Sequence, residues 1–170
     1  MINLILWPVL YVAALWGLGQ LTNISTVLVT GLTIVLYFAV TSKQERKPLP
    51  ISTRNIALTI TATIILVVAS LLLTDKLEAT RRTYWIVVVM APLAEEIVFR
   101  ELSFKQSKLN PIVAAVVSTA LFAVAHGLSL NVVIASAIAG LTLCALYYFT
   151  DALAYAIIAH ILANLILVFI

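Results

Sequence analysis

The stretch Tyr84-Trp85-Ile86-Val87-Val88-Val89-Met90-Ala91-Pro92-Leu93-Ala94-Glu95-Glu96-Ile97-Val98-Phe99-Arg100 opens as an apolar run and then sets two adjacent carboxylates and a guanidinium inside it. Read as a spanning helix at about 1.5 Å per residue, it places Glu95 about 16 Å from Tyr84, near mid-depth of a bilayer. An ionised acid there costs about 2.5–3.5 kcal/mol even on a lenient insertion scale. Hydrophobicity alone would not put two in one helix. Glu96 and Arg100 are i and i+4, share a face and can pair; Glu95 is rotated about 100° away and must look elsewhere. A structural ion pair therefore explains Glu96 and Arg100 but leaves Glu95 unexplained.

The rest of the chain supports the bilayer as its solvent. Of 170 residues, 64% are hydrophobic and 10% charged, with a mean hydropathy of +1.16. A soluble domain is about 45–50% apolar and about 25% charged, and a chain this short leaves much of its surface exposed. Those proportions exclude a water-soluble enzyme, a disordered chain and a nucleic-acid binder. The net charge is +3, but the basic residues sit between apolar runs, as topology-setting charges do. The lone Cys144 cannot form an intrachain disulfide and says nothing of redox compartment.

Seven apolar runs read as spans: Ile2–Leu18, Ile24–Val40, Ile56–Leu73, Tyr84–Phe104, Pro111–His126, Asn131–Phe149 and Ala152–Ile170. The first lacks the basic flank of a cleaved signal and is followed at once by further spans. The fold class expected is an all-α polytopic transmembrane bundle, one integral-membrane domain over residues 1–170. Seven spans put Lys43, Arg46, Lys47, Arg54, Lys105 and Lys108 on the N-terminal side, against Lys76, Arg81 and Arg82 opposite. The excess places the N-terminus in the cytoplasm, with the chain in the cytoplasmic membrane.

Two later spans also carry polar groups that lipid would reject. The fifth starts at Asn110-Pro111, a cap followed by proline at the first helical position, and ends Phe122-Ala-Val-Ala-His126-Gly127. Phe122 and His126 share a face at i, i+4. If the fourth helix continues to Asn110, as a Glu101–Lys105 pair suggests, Glu95 and His126 lie at nearly equal heights above the hairpin. The seventh span, capped by Asp151, carries His160 and Asn164, again i, i+4. Taken alone, these two are interhelical glue worth about 0.6 kcal/mol per hydrogen bond. Taken with Glu95 and His126, they read as part of one site.

Several hydrolytic constellations are missing. The sequence has no H-E-x-x-H, no third histidine for a zinc site and no G-x-S-x-G elbow. Ser118 and Ser136 read as small packing residues, and Asp75 and Asp151 fall in loops. Carboxylate plus imidazole remains. Glu95 and His126 on either side of one water can take its proton as it attacks a carbonyl, while His160 and Asn164 offer donors to the oxyanion. A proton relay through Glu95, Glu96, His126 and His160 in a small transporter uses the same residues, but no inverted repeat accompanies it.

The ordered set E-E-x-x-x-R (Glu95, Glu96, Arg100), F-x-x-x-H (Phe122, His126) and H-x-x-x-N (His160, Asn164) resembles the CPBP family: the CAAX proteases and bacteriocin-processing enzymes, also called the Abi family, with the type II CAAX prenyl endopeptidases among them. The resemblance covers residues 84–170. It implies a glutamate-type intramembrane endopeptidase without metal or other cofactor. By motif position, Glu95 would activate water beside His126, His160 and Asn164 would serve the oxyanion, and Glu96, Arg100 and Phe122 would shape the site. The partners implied are membrane lipid and a peptide or protein substrate entering from the bilayer or its interface. Dimerisation would be one way to close so compact a bundle. A non-catalytic relative that binds or sequesters a membrane peptide, as an immunity or scaffold protein, is the alternative within the same resemblance.

Overall fold

The computed structural model describes residues 2–19, 29–35, 37, 49–74 and 85–170, and among these the structure is helical with no strand. Helix α1 covers Ile2–Gly19, a stretch α2 is helical over 29–35, and α3 covers Thr53–Leu73. A continuous helical stretch α4 runs from 85 to 107, followed by α5 (Pro111–His126), α6 (Leu130–Thr150) and α7 (Leu153–Phe169). By length and composition α3 and α6 can each cross a bilayer; α5 and α7 are shorter apolar helices. Of the expected span Ile24–Val40, residues 24–28, 36 and 38–40 lie outside the described residues, as do the basic residues Lys43, Arg46, Lys47, Lys76, Arg81 and Arg82.

Local chemistry sets the ends of these helices. Ser52 caps α3 by accepting from Asn55 N at 3.1 Å, and Asn110 Oδ1 caps α5 by accepting from Ile112 N at 2.9 Å. Gly127, at φ 146°, ends α5 directly after His126, in a conformation that a side chain strongly disfavours. Two expectations fail at the other ends. The α4 stretch stops at Ser107, with Lys108 left-handed at φ 57°, and does not reach Asn110. Asp151 does not cap α7: it closes α6 in a left-handed conformation at φ 50°, and Ala152 occupies the N-cap position.

The expected Glu101–Lys105 pair is also absent, because each residue has a better partner on another helix. Glu101 is buried and accepts from the Tyr147 hydroxyl of α6, while Lys105 pairs with Asp151.

The fourth helix departs most from expectation. Past its first residue it is α-helical over Ala91–Glu95 alone; Ile86–Met90 and Glu96–Phe104 are π-helical, and Lys105–Ser107 closes as a 3₁₀ turn. The hydrogen bonds there run i→i+5 instead of i→i+4, a register usually confined to single turns and often found at functional sites. All residues of Glu96–Phe104 are buried, because α1, α5 and α7 pack around that segment. Charged groups in it are thereby kept from lipid.

Packing around this central helix falls into two apolar clusters. One joins Ala62 and Leu66 of α3 and Leu143 and Tyr147 of α6 to Tyr155, Ala156, Ala159 and Ala163 of α7. The alanines recur at helical spacing and let α3 and α6 approach closely, as small residues do between membrane helices. The other joins Tyr11, Ala94, Val98, Phe99 and Phe122. Two buried threonines of α3 are satisfied within their own helix: Thr59 and Thr63 each donate back to the carbonyl four residues earlier, at 2.8 and 2.9 Å.

Candidate active site

Glu95 and Glu96 stand at the switch from α- to π-register and face different partners. Glu95 Oε2 lies 3.7 Å from His126 Nε2 and 3.8 Å from His160 Nε2. Both gaps exceed a direct hydrogen bond, and an oxygen about 2.8 Å from each member of either pair fits between them. Glu95 and His126 therefore meet as expected, although the fourth helix stops at Ser107, short of the Asn110 on which the equal-height argument counted. The Glu95 side chain is 13% exposed and that of His160 9%, against 33% for His126. The cluster is enclosed on the α7 side and open where α5 ends.

Glu96 is fully buried and makes two contacts. Its Oε2 lies 3.1 Å from Arg100 Nε, the expected i, i+4 pair. Its Oε1 lies 2.9 Å from His160 Nδ1, a contact the sequence did not suggest. The two residues are 64 positions apart, and only the packing of α7 against α4 brings them together.

Arg100 is also fully buried. Its guanidinium lies over the Phe122 ring at 4.5 Å, and its two terminal nitrogens find no acceptor among the described residues. Phe122 thus lies between the Arg100 guanidinium and the His126 imidazole. The His126 ring is tilted 42° to that of Phe122, 4.3 Å between centroids, while His126 Nδ1 meets the Phe122 carbonyl at 2.8 Å. If that nitrogen donates, neutral His126 presents Nε2 to Glu95 as an acceptor.

The structure thus brings Glu95, Glu96, Arg100, Phe122, His126 and His160 into one cluster. Asn164 lies one turn beyond His160 on α7 and is partly buried. Ser118, expected only to pack, donates to the Phe99 carbonyl of the π segment at 2.6 Å and so ties α5 to the helix that carries both acids. Among the described residues, no group of three His, Cys, Asp or Glu side chains is arranged to hold a metal ion.

The arrangement is an acid facing two imidazoles, one of which is backed by a second acid and a buried cation. Such a set can deprotonate a water and stabilise negative charge beside it. Comparison with known families adds an independent result: the family described as "Rce1-like: Type II CAAX prenyl endopeptidase Rce1-like" matches residues 77–166. That segment contains every residue of the cluster. No curated protein and no solved structure matches the chain.

Proposed function

The chain belongs to the Rce1-like type II CAAX prenyl endopeptidase family, a protease family, and on that premise we propose that it is an intramembrane endopeptidase. Its substrate is a membrane-embedded or lipidated peptide, CAAX-type included, cut by a water that Glu95 and His126 activate. The observation that carries this reading is the position of Glu95 Oε2, within 3.8 Å of both imidazoles in a largely enclosed site.

In this mechanism Glu95 takes a proton from the water as its oxygen attacks the scissile carbonyl, with His126 orienting the water. The proton then passes to the leaving amine as the C–N bond breaks. His160 and Asn164 donate to the oxyanion. With Nδ1–H donating to Glu96, a neutral His160 would present only a lone pair at Nε2, so its donor role requires the imidazolium. Glu96 stabilises that cation, and Arg100 in turn offsets the buried Glu96 charge. No step uses a metal.

The proposal includes the seven-span topology, with the N-terminus in the cytoplasm and the catalytic core in residues 84–170. Six basic residues against three across the loops support that orientation. The substrate reaches the site from the bilayer or its interface, where the exposed edge of His126 provides the opening.

The test is cleavage of an internally quenched farnesylated CAAX peptide by the protein in liposomes, compared with Glu95→Gln and His126→Ala. Loss of cleavage in both variants, with the thermal midpoint kept, is expected. Unchanged cleavage in both would overturn the mechanism. No cleavage by any form, with peptide still bound, would favour the non-catalytic peptide-binding reading.

A further inference from the structure

Ser118 is fully buried, and its hydroxyl donates to the Phe99 carbonyl at 2.6 Å, toward the short end of the O–H···O range. That carbonyl belongs to the peptide bond that joins Phe99 to Arg100, inside the π segment that begins at Glu96. On α5, Ser118, Phe122 and His126 follow at i, i+4 and i+8 and so share one face. Each of them meets α4. Ser118 holds the Phe99 carbonyl. Phe122 meets the Phe99 ring edge-to-face at 5.2 Å and lies under the Arg100 guanidinium at 4.5 Å. His126 Nε2 faces Glu95 Oε2 at 3.7 Å. The contacts form a ladder between the two helices, with the serine at one end and the acid–imidazole pair at the other.

The rungs differ in what they can fix. Edge-to-face rings are favourable over centroid separations of about 4.5–7 Å, so the Phe99–Phe122 rung tolerates sliding of one helix along the other. A hydroxyl bonded to one carbonyl does not. Its favourable lengths span about 0.5 Å, whereas a slide of one residue is about 1.5 Å. The carbonyl it holds also lies where α4 most needs an outside restraint, because i→i+5 register is seldom kept beyond a single turn. His126 stands about 12 Å further along α5, so the helix carries any shift at Ser118 to the imidazole.

We infer that Ser118 is a positioning residue of the active site: its bond to the Phe99 carbonyl sets the register of α5 on α4, and with it the gap between Glu95 and His126. This rests on the reading of those two residues as the water-activating pair. Ser118 acts through the two helices and touches neither residue of the pair.

Ser118→Thr and Ser118→Val add nearly the same bulk, and only threonine keeps a donor, so their difference isolates the hydroxyl. With the quenched farnesylated peptide, kcat of Ser118→Val is expected to be about 10-fold below that of Ser118→Thr at equal KM, within the roughly 100-fold that a misplacement of about 1 Å can cost. Ser118→Ala should fall with the valine variant. Ser136→Ala, at another buried serine but on α6 and outside the ladder, should match the wild type. A second measurement does not depend on turnover. The chain has two histidines, so a nitrogen-labelled histidine NMR spectrum holds only His126 and His160. The His126 Nε2 signal should move in Ser118→Ala and Ser118→Val relative to Ser118→Thr, while His160, bonded to Glu96, should move less. Equal kcat in the threonine and valine variants, a kcat loss that tracks the thermal midpoint across the three, or an unmoved His126 signal would overturn the inference while leaving the Glu95 mechanism intact. If the wild type itself does not cut the peptide, the function proposed above fails, and the His126 signal then decides the Ser118 role alone: moved, it upholds the register role; unmoved, it overturns it.

Discussion

Glu96 Oε1 and His160 Nδ1 are 2.9 Å apart, both residues buried, on different helices and 64 positions apart in the chain. The contact fixes which nitrogen of His160 faces the rest of the site. With Nδ1 committed to Glu96, Nε2 is turned to Glu95. Glu96→Gln keeps the side-chain shape but removes the charge, and its amide can offer His160 an N–H where an acceptor is needed. We expect kcat to fall about 100-fold or more with substrate binding retained, as when an orienting carboxylate is lost from a catalytic histidine. Steady-state kinetics on the quenched peptide checks this; a KM effect alone would contradict it.

Arg100 and Glu96 form a fully buried ion pair, and breaking such a pair is costlier than removing it whole. Arg100→Met leaves the Glu96 charge with only His160 beside it, and should destabilise the protein by about 3–5 kcal/mol. The double variant Glu96→Gln with Arg100→Met should recover part of that loss. Unfolding of all four forms in the same detergent closes the cycle. A strictly additive result would mean that the two charges do not compensate one another.

These contacts mark the limit of what the sequence disclosed. The meeting of Glu95 and His126 was legible because both heights are counted from one short hairpin, and the Asn110 cap fixes where α5 begins. Phe122 with His126, and Glu96 with Arg100, follow from i, i+4 spacing within a helix. What periodicity could not supply was the choice of partner across helices. Glu101 and Lys105 have the spacing of a pair, but Tyr147 and Asp151 outcompete that arrangement from α6 and its C-terminal turn. The π-register of Glu96–Phe104 has no residue signature either; it depends on a helix enclosed by its neighbours and on acceptors such as Phe99 O bonding sideways to Ser118.

Gly140 lies where α6 crosses α5. A Cβ built on it would stand 3.0 Å from Thr119 Cγ2 and 3.4 Å from Phe122 Cδ1. Leucine at this position has no room without displacing the ring that contacts Arg100 and His126. Gly140→Leu should therefore destabilise the fold by about 1–3 kcal/mol and reduce cleavage together with stability. Thermal unfolding and peptide cleavage on one preparation test the link; a stable variant with low activity would place the disturbance in Phe122 alone.

If water activation needs only Glu95 and His126, chelators should leave cleavage unchanged. The matched experiment incubates the purified protein with 1,10-phenanthroline or EDTA before adding peptide. A rate that falls and returns on adding zinc would contradict the metal-free mechanism, since a zinc-bound water would then be the nucleophile.

The end of the bundle remote from His126 offers a comparison between an exposed and a buried contact. Lys105 and Asp151 pair in the open, with side chains 44% and 55% exposed, whereas Glu101 and the Tyr147 hydroxyl are both enclosed. Exposed pairs contribute about 0–1 kcal/mol because water already solvates both charges. A buried carboxylate that loses its donor bears a desolvation cost of about 1–3 kcal/mol or more. Lys105→Ala should thus barely move the unfolding midpoint, and 1 M NaCl should remove even that difference. Tyr147→Phe should lower the midpoint clearly and independently of salt, although it deletes a single oxygen. If Lys105→Ala proves the more damaging, the Lys105 ammonium over the Tyr147 ring, 5.4 Å from its centroid, would outweigh the hydroxyl bond beneath it.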